Sequence, residues 1–453
     1  MASTLRVVGT GVAWNTVATI AVKVLALVNV FIILRHLSVY DYGLVQLVLT
    51  VVSTIGGFLL PGLGSVLISD LARERGEGKL GHVATIARQY ALLQVVLGVL
   101  AFLVLFLGSA LLATYLNQPT IGFYLQIASF SYLAGVLRGL LTVLATVELR
   151  FAFQNVLFVL DEGFKLVFLL IGFSLGLGLV GVLYAAVLTP VAVVLLTLPW
   201  GAKSFKPLLS APPATEPWWT LLTAHRFWGI SSSYLTTLNQ NARLWMVQLF
   251  LGTEAVGLFS FAQGLASQAG SLITFSNITT PILAGAVHEP KRFANLGTRA
   301  LKYHFWIAAF TLIPGMLLTP LFIHVLFPAY KGAIVITLIY LVTLIPSAAN
   351  VVLSGLYPAL KRQRDYFFNA TLVKTFTLVI SAPPLILFFG IIGAAIEPLI
   401  TISVSTIGRI RALRTLAPGF LTDVRELFIF DATDRALLKQ ILAHRFPRFG
   451  ARG

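Results

Sequence analysis

Twelve stretches of roughly 20 residues with few or no charges recur along the chain, and no soluble core buries that much hydrocarbon. They run approximately over 8–34, 42–68, 84–112, 120–147, 152–175, 178–199, 227–251, 255–286, 300–327, 333–358, 366–389 and 391–408. Only 11% of the 453 residues are charged and 58% are hydrophobic, against about a quarter charged in a soluble domain. A bilayer takes the place of the missing core. Within it every backbone N–H and C=O must be satisfied inside its own segment or inside a closed barrel. A barrel would be written in alternating segments of ~10 residues, which this chain lacks. The fold class expected is all-α, a polytopic membrane protein of about 12 transmembrane helices.

The longest interior loop, 200–226, carries Pro207, Pro212, Pro213 and Pro217 and divides the spans six and six. The expected domains are a six-helix lobe over 1–200, a linker over 201–226, a second six-helix lobe over 227–408 and a basic tail over 409–453. Lys and Arg set orientation, because they are retained on the cytoplasmic side. One set of helix ends and the tail carry 25 of them; the opposite ends carry only Arg35 and Lys331. Both termini are therefore expected in the cytoplasm. No short apolar region followed by a small-residue cleavage site opens the sequence, so its first apolar segment is expected to stay as a helix. The tail presents Leu437, Leu438, Ile441, Leu442 and Phe446 on one helical face, with Arg435, Lys439 and Arg445 interleaved. That pattern fits an amphipathic helix on the cytoplasmic surface and equally a loosely ordered basic tail.

The two halves read as repeats. Leu34–Leu44 is L-R-H-L-S-V-Y-D-Y-G-L, an outward turn that leads through Gly43 into an apolar run ending near Pro61, Gly62 and Gly64. A weaker copy, Leu251-Gly-Thr-Glu-Ala-Val-Gly257-Leu, leads into a run reaching Pro281. The basic loop Arg73–Arg88 matches Lys291–Lys302. An even number of spans per half makes the repeats parallel, an architecture of transporters that bind substrate where the halves meet. Gly43, Pro61 and Pro281 are the expected hinge positions, and Pro190, Pro314, Pro320, Pro346 and Pro398 add further points where a helix loses a hydrogen bond.

Several classes of chemistry are excluded. The chain has no cysteine, and its seven histidines have no ligand spacing, so neither metal nor thiol chemistry is expected. No phosphate-binding loop for nucleotides is present. The net charge of +16 fits basic loops at an anionic leaflet better than nucleic acid. No cofactor and no catalytic residue is expected.

Charges inside the spans are few and costly, ~2.5–3.5 kcal/mol each on insertion scales. They are Lys23, Arg138, Asp161, Glu162, Lys165, Arg243, Lys374 and Glu397. Asn15, Thr19 and Lys23 fall on one face of the first span; Thr236, Gln240 and Arg243 fall on one face of the seventh, with Asn239 four before Arg243. Both halves thus open with a polar, cation-bearing helix. The functional reading is a water-filled cavity lined by Lys23, Arg243, Lys165, Lys374 and Arg138, with Asn15, Asn239 and Gln240, drawing in an anionic group such as a phosphate. The structural reading is that these cations pair with Asp161, Glu162 and Glu397 to hold helices together. Asp161 and Lys165, four apart, are placed to pair. Arg138 lies within snorkelling reach of the cytoplasmic end.

The turn at Leu34–Leu44, the Pro61–Gly64 run P-G-L-G and the basic loop Asp70–Lys79 resemble the polysaccharide flippases of the multidrug/oligosaccharidyl-lipid/polysaccharide (MOP) exporter superfamily. Ser38 stands where that family often has Gly, and Ala255-Val256 replace the acidic-aromatic pair in the second copy. The resemblance implies two MATE-like lobes in a V, opening alternately to each side of the plasma (inner) membrane. It implies a polyprenyl-diphosphate-linked oligosaccharide as substrate, membrane lipid as partner, and energy from H+, Na+ or substrate asymmetry. It carries over Lys23 and Arg243 as cavity cations, with Lys165 and Lys374 as weaker candidates; Asp161, Glu162 and Glu397 are, on the spacing of charges in the spans, the expected coupling or ion-pairing acids.

Rival readings remain open. A multidrug/cation antiporter of the same superfamily should have acids dominating its cavity, whereas here five bases face three acids. A membrane-embedded glycosyltransferase or ligase needs catalytic acids on a sizeable outer loop, and the outer loops here carry only Asp41 and Glu254. In a non-transporting scaffold all the buried charges would be structural.

Overall fold

The computed structural model describes residues 2–59, 79–116, 118–148, 150–209, 224–271, 289–360, 362–431 and 434. Pro61, Pro281, most of the 201–226 linker, the Arg73–Arg75 loop and the 435–446 stretch of the tail lie outside the described residues, as does the side chain of Asn15. The described chain is all-helical. Its first eight helices follow the expected spans: α1 Ala2–His36, α2 Val39–Leu59, α3 Leu80–Tyr115, α4 Ile121–Val147, α5 Phe151–Ser174, α6 Gly178–Leu209, α7 Ala224–Leu251 and α8 Thr253–Ser271. Then come α9 Pro290–Leu326, a 3-10 turn at Pro328–Ala333, α10 Ile334–Val342 and α11 Leu344–Ala359. A short α12, Gln363–Tyr366, runs through a π-helical turn, Phe367–Leu372, into α13 Val373–Leu416.

Among the described residues seven helices are long and apolar enough to cross a membrane, or eight if α10 and α11 count as one interrupted span. The others fail that test for legible reasons. α5 carries Asp161, Glu162 and Lys165, and α7 carries the polar face around Arg243. The interruption at Thr343 lies three residues before Pro346, whose ring excludes the carbonyl four residues back, that of Val342. The long α13 is two spans: Gly390 takes φ +57°, ψ −136°, and folds the helix on itself. A β-carbon at Gly393 would strike the Leu385 carbonyl, so glycine permits the tight return. This break falls between the eleventh and twelfth spans expected from sequence.

The helices assemble into two compact units. The first comprises Met1–Leu265, Thr319–Ile339 and Thr375–Glu397. Its core is apolar packing of α3, α4, α5 and α6 around Phe153, Leu157 and Phe205. In it α2 and α8 cross near their first turns, Gly43 lying against the Thr253 carbonyl and Gly257 against that of Val39. The second comprises Ala266–Leu318, Tyr340–Lys374 and Pro398–Gly453, with a core of Phe293, Leu353, Leu356, Tyr357, Leu413 and Phe420. Two helices outrun their expected ends. α6 continues to Leu209, and α13 continues to Leu416, so Arg409, expected in the tail, is helical and 1% exposed.

Candidate functional site

The charged residues of α5 sit against α1, α4 and α6. Asp161 follows the apolar run Val156–Leu160 on α5, so its carboxylate needs a partner from a neighbouring helix. That partner is Arg138 of α4, not Lys165. The guanidinium grips both carboxylate oxygens, with Nε 2.9 Å from Oδ2 and 3.2 Å from Oδ1, and an Nη2–Oδ2 ion pair besides. Arg138 therefore turns inward rather than snorkelling. Its Nη1 donates to Thr142 one helical turn away, and it lies over the Phe158 ring.

Glu162 meets α1. Asn29 Nδ2 donates to Glu162 Oε2 at 2.8 Å and to the Glu162 carbonyl at 3.0 Å. Asn29 is fully buried, and its Oδ1 has no hydrogen-bond partner among the described residues. Lys165 makes no ion pair among the described residues. Asp161, Glu162 and Lys165 line a cavity of about 350 Å³ together with Tyr42, Gln46 and Thr189. The cavity thus holds a carboxylate already paired to arginine, a second carboxylate met by an amide, and an ammonium.

α7 supplies the second cluster. Arg243 forms an ion pair with Glu397 of α13 through Nε. The sequence shows no acid near Arg243; the partner lies 154 residues on. The Arg243 side chain keeps 14% exposure while Glu397 keeps 1%. Asn239, one turn before Arg243, donates through Nδ2 to Thr375 at 3.0 Å. The face of α7 pointing to α2 is also polar: Asn241 accepts from Ser53, and Trp245 donates to Thr54. Gln240 and Thr236 are exposed.

The remaining sequence candidates are placed individually. Lys23 is half-buried on α1. Lys374 is half-buried and belongs to the second unit, whereas Lys23, Arg138, Lys165 and Arg243 belong to the first. Sequence reasoning missed Asn29, Tyr42, Gln46 and Thr189 as neighbours of the charged residues. Asn29 carried a usable signal: it is the single amide between Lys23 and Arg35 in an otherwise apolar run.

The fold matches an inward-facing conformation of a multidrug resistance MATE family transporter of the MOP superfamily, at TM-score 0.71 and 17% identity, covering 94% of this chain and 96% of that one. It matches a MOP superfamily transporter from Pyrococcus furiosus, described as having a binding pocket of reverse polarity, at TM-score 0.65 and 17% identity, covering 91% and 94%. A MATE transporter of Vibrio cholerae matches at TM-score 0.58 and 15% identity, covering 90% and 96%. A search of curated proteins by sequence finds no match. At these identities the structures establish the fold alone. Residues 8–285, more than half of the chain, match the family model described as polysaccharide biosynthesis protein, and the chain belongs to that family.

Proposed function

We propose that the protein carries a polyprenyl-diphosphate-linked oligosaccharide from the cytoplasmic to the outer leaflet of the plasma membrane by alternating access. The moving parts are the lobes 1–200 and 227–408, joined by the 201–226 linker, with the tail 409–453 and both termini in the cytoplasm. Lys23, Lys165 and Arg243 meet the diphosphate, with Lys374 as a further cation; Asn15, Asn239 and Gln240 meet the glycan. A diphosphate cannot cross hydrocarbon bare, because an unshielded charge at the bilayer centre is costly. A cationic passage shields it while the polyprenyl chain stays in lipid.

The observation that carries this reading is the lopsided burial of the Arg243–Glu397 pair. The guanidinium is reachable and the carboxylate is not. An arriving phosphate offers the same forked oxygen geometry as a carboxylate, so it can take Arg243 from Glu397. Entry of the phosphate thereby parts Arg243 from Glu397. That exchange is the step that couples substrate entry to H+ or Na+; Arg138–Asp161, on α4 and α5, is a second ion pair in which the carboxylate is the more exposed partner. Gly43, Pro61 and Pro281 serve as the hinges in this reading.

A second reading draws on Asp161 and Glu162 in the α5 cavity: an exporter of organic cations would use those acids. The two separate in one assay. In proteoliposomes, Lys23→Ala and Arg243→Ala each abolish translocation of a fluorescent lipid-linked oligosaccharide while the protein remains folded and inserted. Unimpaired flipping by both variants, or ethidium efflux with no lipid flipping by the wild type, overturns the diphosphate reading. Topology is tested in the same membranes: a cysteine replacing Tyr40 labels from outside with an impermeant reagent and one replacing Glu77 does not.

A further inference from the structure

After α13 ends at Leu416, the chain turns back along α9. The returning segment is fastened by its backbone and its acids. Trp306 Nε1 donates to the Leu427 carbonyl at 2.9 Å, and Lys302 Nζ to the Ile429 carbonyl at 2.8 Å. Lys302 also donates to Asp434 at 2.6 Å, Tyr303 to Asp434 at 2.5 Å, and Arg299 to Asp431 at 2.8 Å. The Phe428 ring packs edge-on against Phe305 and Trp306, and Phe430 lies against Trp306 and under the Lys302 ammonium.

Despite this fastening, Val424, Phe428 and Ile429 remain 55%, 54% and 62% exposed. A loop with so many hydrogen bonds has a defined conformation, so its apolar side chains are presented rather than left over. What they are presented to follows from the helix beneath them. Phe310, Ile313 and Leu317 on α9 are 69%, 60% and 73% exposed and fall on one face at i, i+3 and i+7. In a multi-pass membrane protein such a face meets hydrocarbon. Trp306 lies one turn before Phe310 on that face, with the two rings 5.9 Å apart. Its indole is apolar at one end and hydrogen-bonded at the other, the character of a residue at the membrane–water boundary. Phe428 adjoins Trp306, so the apolar trio continues the lipid-facing stripe at its edge.

We propose that Val424–Ile429 is an interfacial lipid anchor, which seats Val424, Phe428 and Ile429 among acyl chains just below the headgroups. The partner is the bilayer surface on the side of the Lys/Arg-rich helix ends. Arg425, exposed on the same 3-10 turn, is placed to meet lipid phosphates. The ion pairs of Arg299 and Lys302 with Asp431 and Asp434 hold the anchor against α9, so the depth of that helix and the docking of the tail are set together.

The absence of native cysteine makes the test direct. Single cysteines replace Phe428, Val424 and Arg292, the last an exposed charged position near the start of α9. Each carries an environment-sensitive fluorophore in full-length protein reconstituted in nanodiscs. The labels at positions 428 and 424 should lose emission to lipids bearing a quencher near the headgroup and resist aqueous iodide; the label at 292 should do the reverse. Val424 makes no ring contact with α9, so its label reads the anchor even if the Phe428 substitution loosens the loop. Iodide quenching at both 424 and 428 overturns the proposal. So does protection from both quenchers combined with energy transfer between labelled copies, which would assign the patch to a second copy of the chain.

Discussion

Gly43 and Gly257 meet reciprocally where α2 crosses α8. A methyl group on either would strike a backbone carbonyl of the other helix, that of Thr253 or Val39, each four residues before the facing glycine. Both pairs of positions are offset by the same 214 residues. The relationship is what two repeats related by an approximate twofold would make of one shared contact, and it gives the repeat reading a physical basis beyond sequence likeness. Gly43→Ala and Gly257→Ala are each expected to destabilise by about 1–3 kcal/mol through overpacking. Gly264→Ala on the same α8 has open space around it and should instead stabilise slightly, by roughly 0.5–1 kcal/mol. Thermal unfolding in detergent would compare the three.

The Arg243–Glu397 pair predicts strong non-additivity. Glu397→Ala takes that counter-charge from the guanidinium and should cost about 3–5 kcal/mol. The double replacement Arg243→Met with Glu397→Leu removes both charges and should recover most of that loss, although it abolishes transport. A double-mutant cycle by chemical denaturation reads the coupling; additive costs would show the pair to be dispensable for stability.

Acid should release the tail in a defined window. Burial pushes the Asp434 carboxyl up, but hydrogen bonds from Lys302, Tyr303 and the Asp431 backbone, with the Lys302 charge, outweigh it and hold the group at about 2 instead of 3.8. Because the folded value lies below the unfolded one, the stabilisation is complete above 3.8 and is lost as pH falls toward about 2. The groups facing Asp434 are Arg299, Lys302, Tyr303 and Asp431. Protease sensitivity of the tail should stay flat from neutrality into the mildly acidic range and rise only within that window. Asp434→Asn should make the tail sensitive at neutral pH.

Arg409 is a buried guanidinium with no carboxylate partner among the described residues. It donates to Ser354 at 2.9 Å, lies over the Tyr366 ring at 4.9 Å, and its Nε is unsatisfied. A planar cation on an aromatic face in a dry site contributes about 2 kcal/mol, and lysine cannot stack in that way. Arg409→Lys is therefore expected to lower stability by about 1–2 kcal/mol, measured against Arg411→Lys, which is exposed on the same helix.

The spans, the break between the last two and the equivalence of Gly43 with Gly257 were legible in the sequence, because apolar length and turn residues are local properties. Charge partners were not. Helical periodicity places Asp161 and Lys165 on one face of α5, but it does not say that Arg138 of α4 faces the same carboxylate. Glu397 reaches Arg243 only because the chain folds back between the two helices that carry them. Arg409 was misplaced for a related reason. A run of arginines after an apolar segment reads as a solvated tail, whereas here α13 continues and Tyr357 and Tyr366 close over the first of them.

The hairpin at Gly390 bears on how the protein is made. Its apex is Phe388, Phe389, Gly390, Ile391 and Ile392, with Phe388 82% exposed and no charged or hydrogen-bonding side chain among the five. A connector of that kind has no polar group that must be drawn through hydrocarbon. The last two spans can therefore enter the bilayer together, as one prefolded hairpin, late in synthesis and independently of the voltage or charge bias that orients the earlier helices. Introducing a lysine at Ile391 would put a translocation barrier where none exists and should stall maturation of the final pair while leaving the first ten spans inserted.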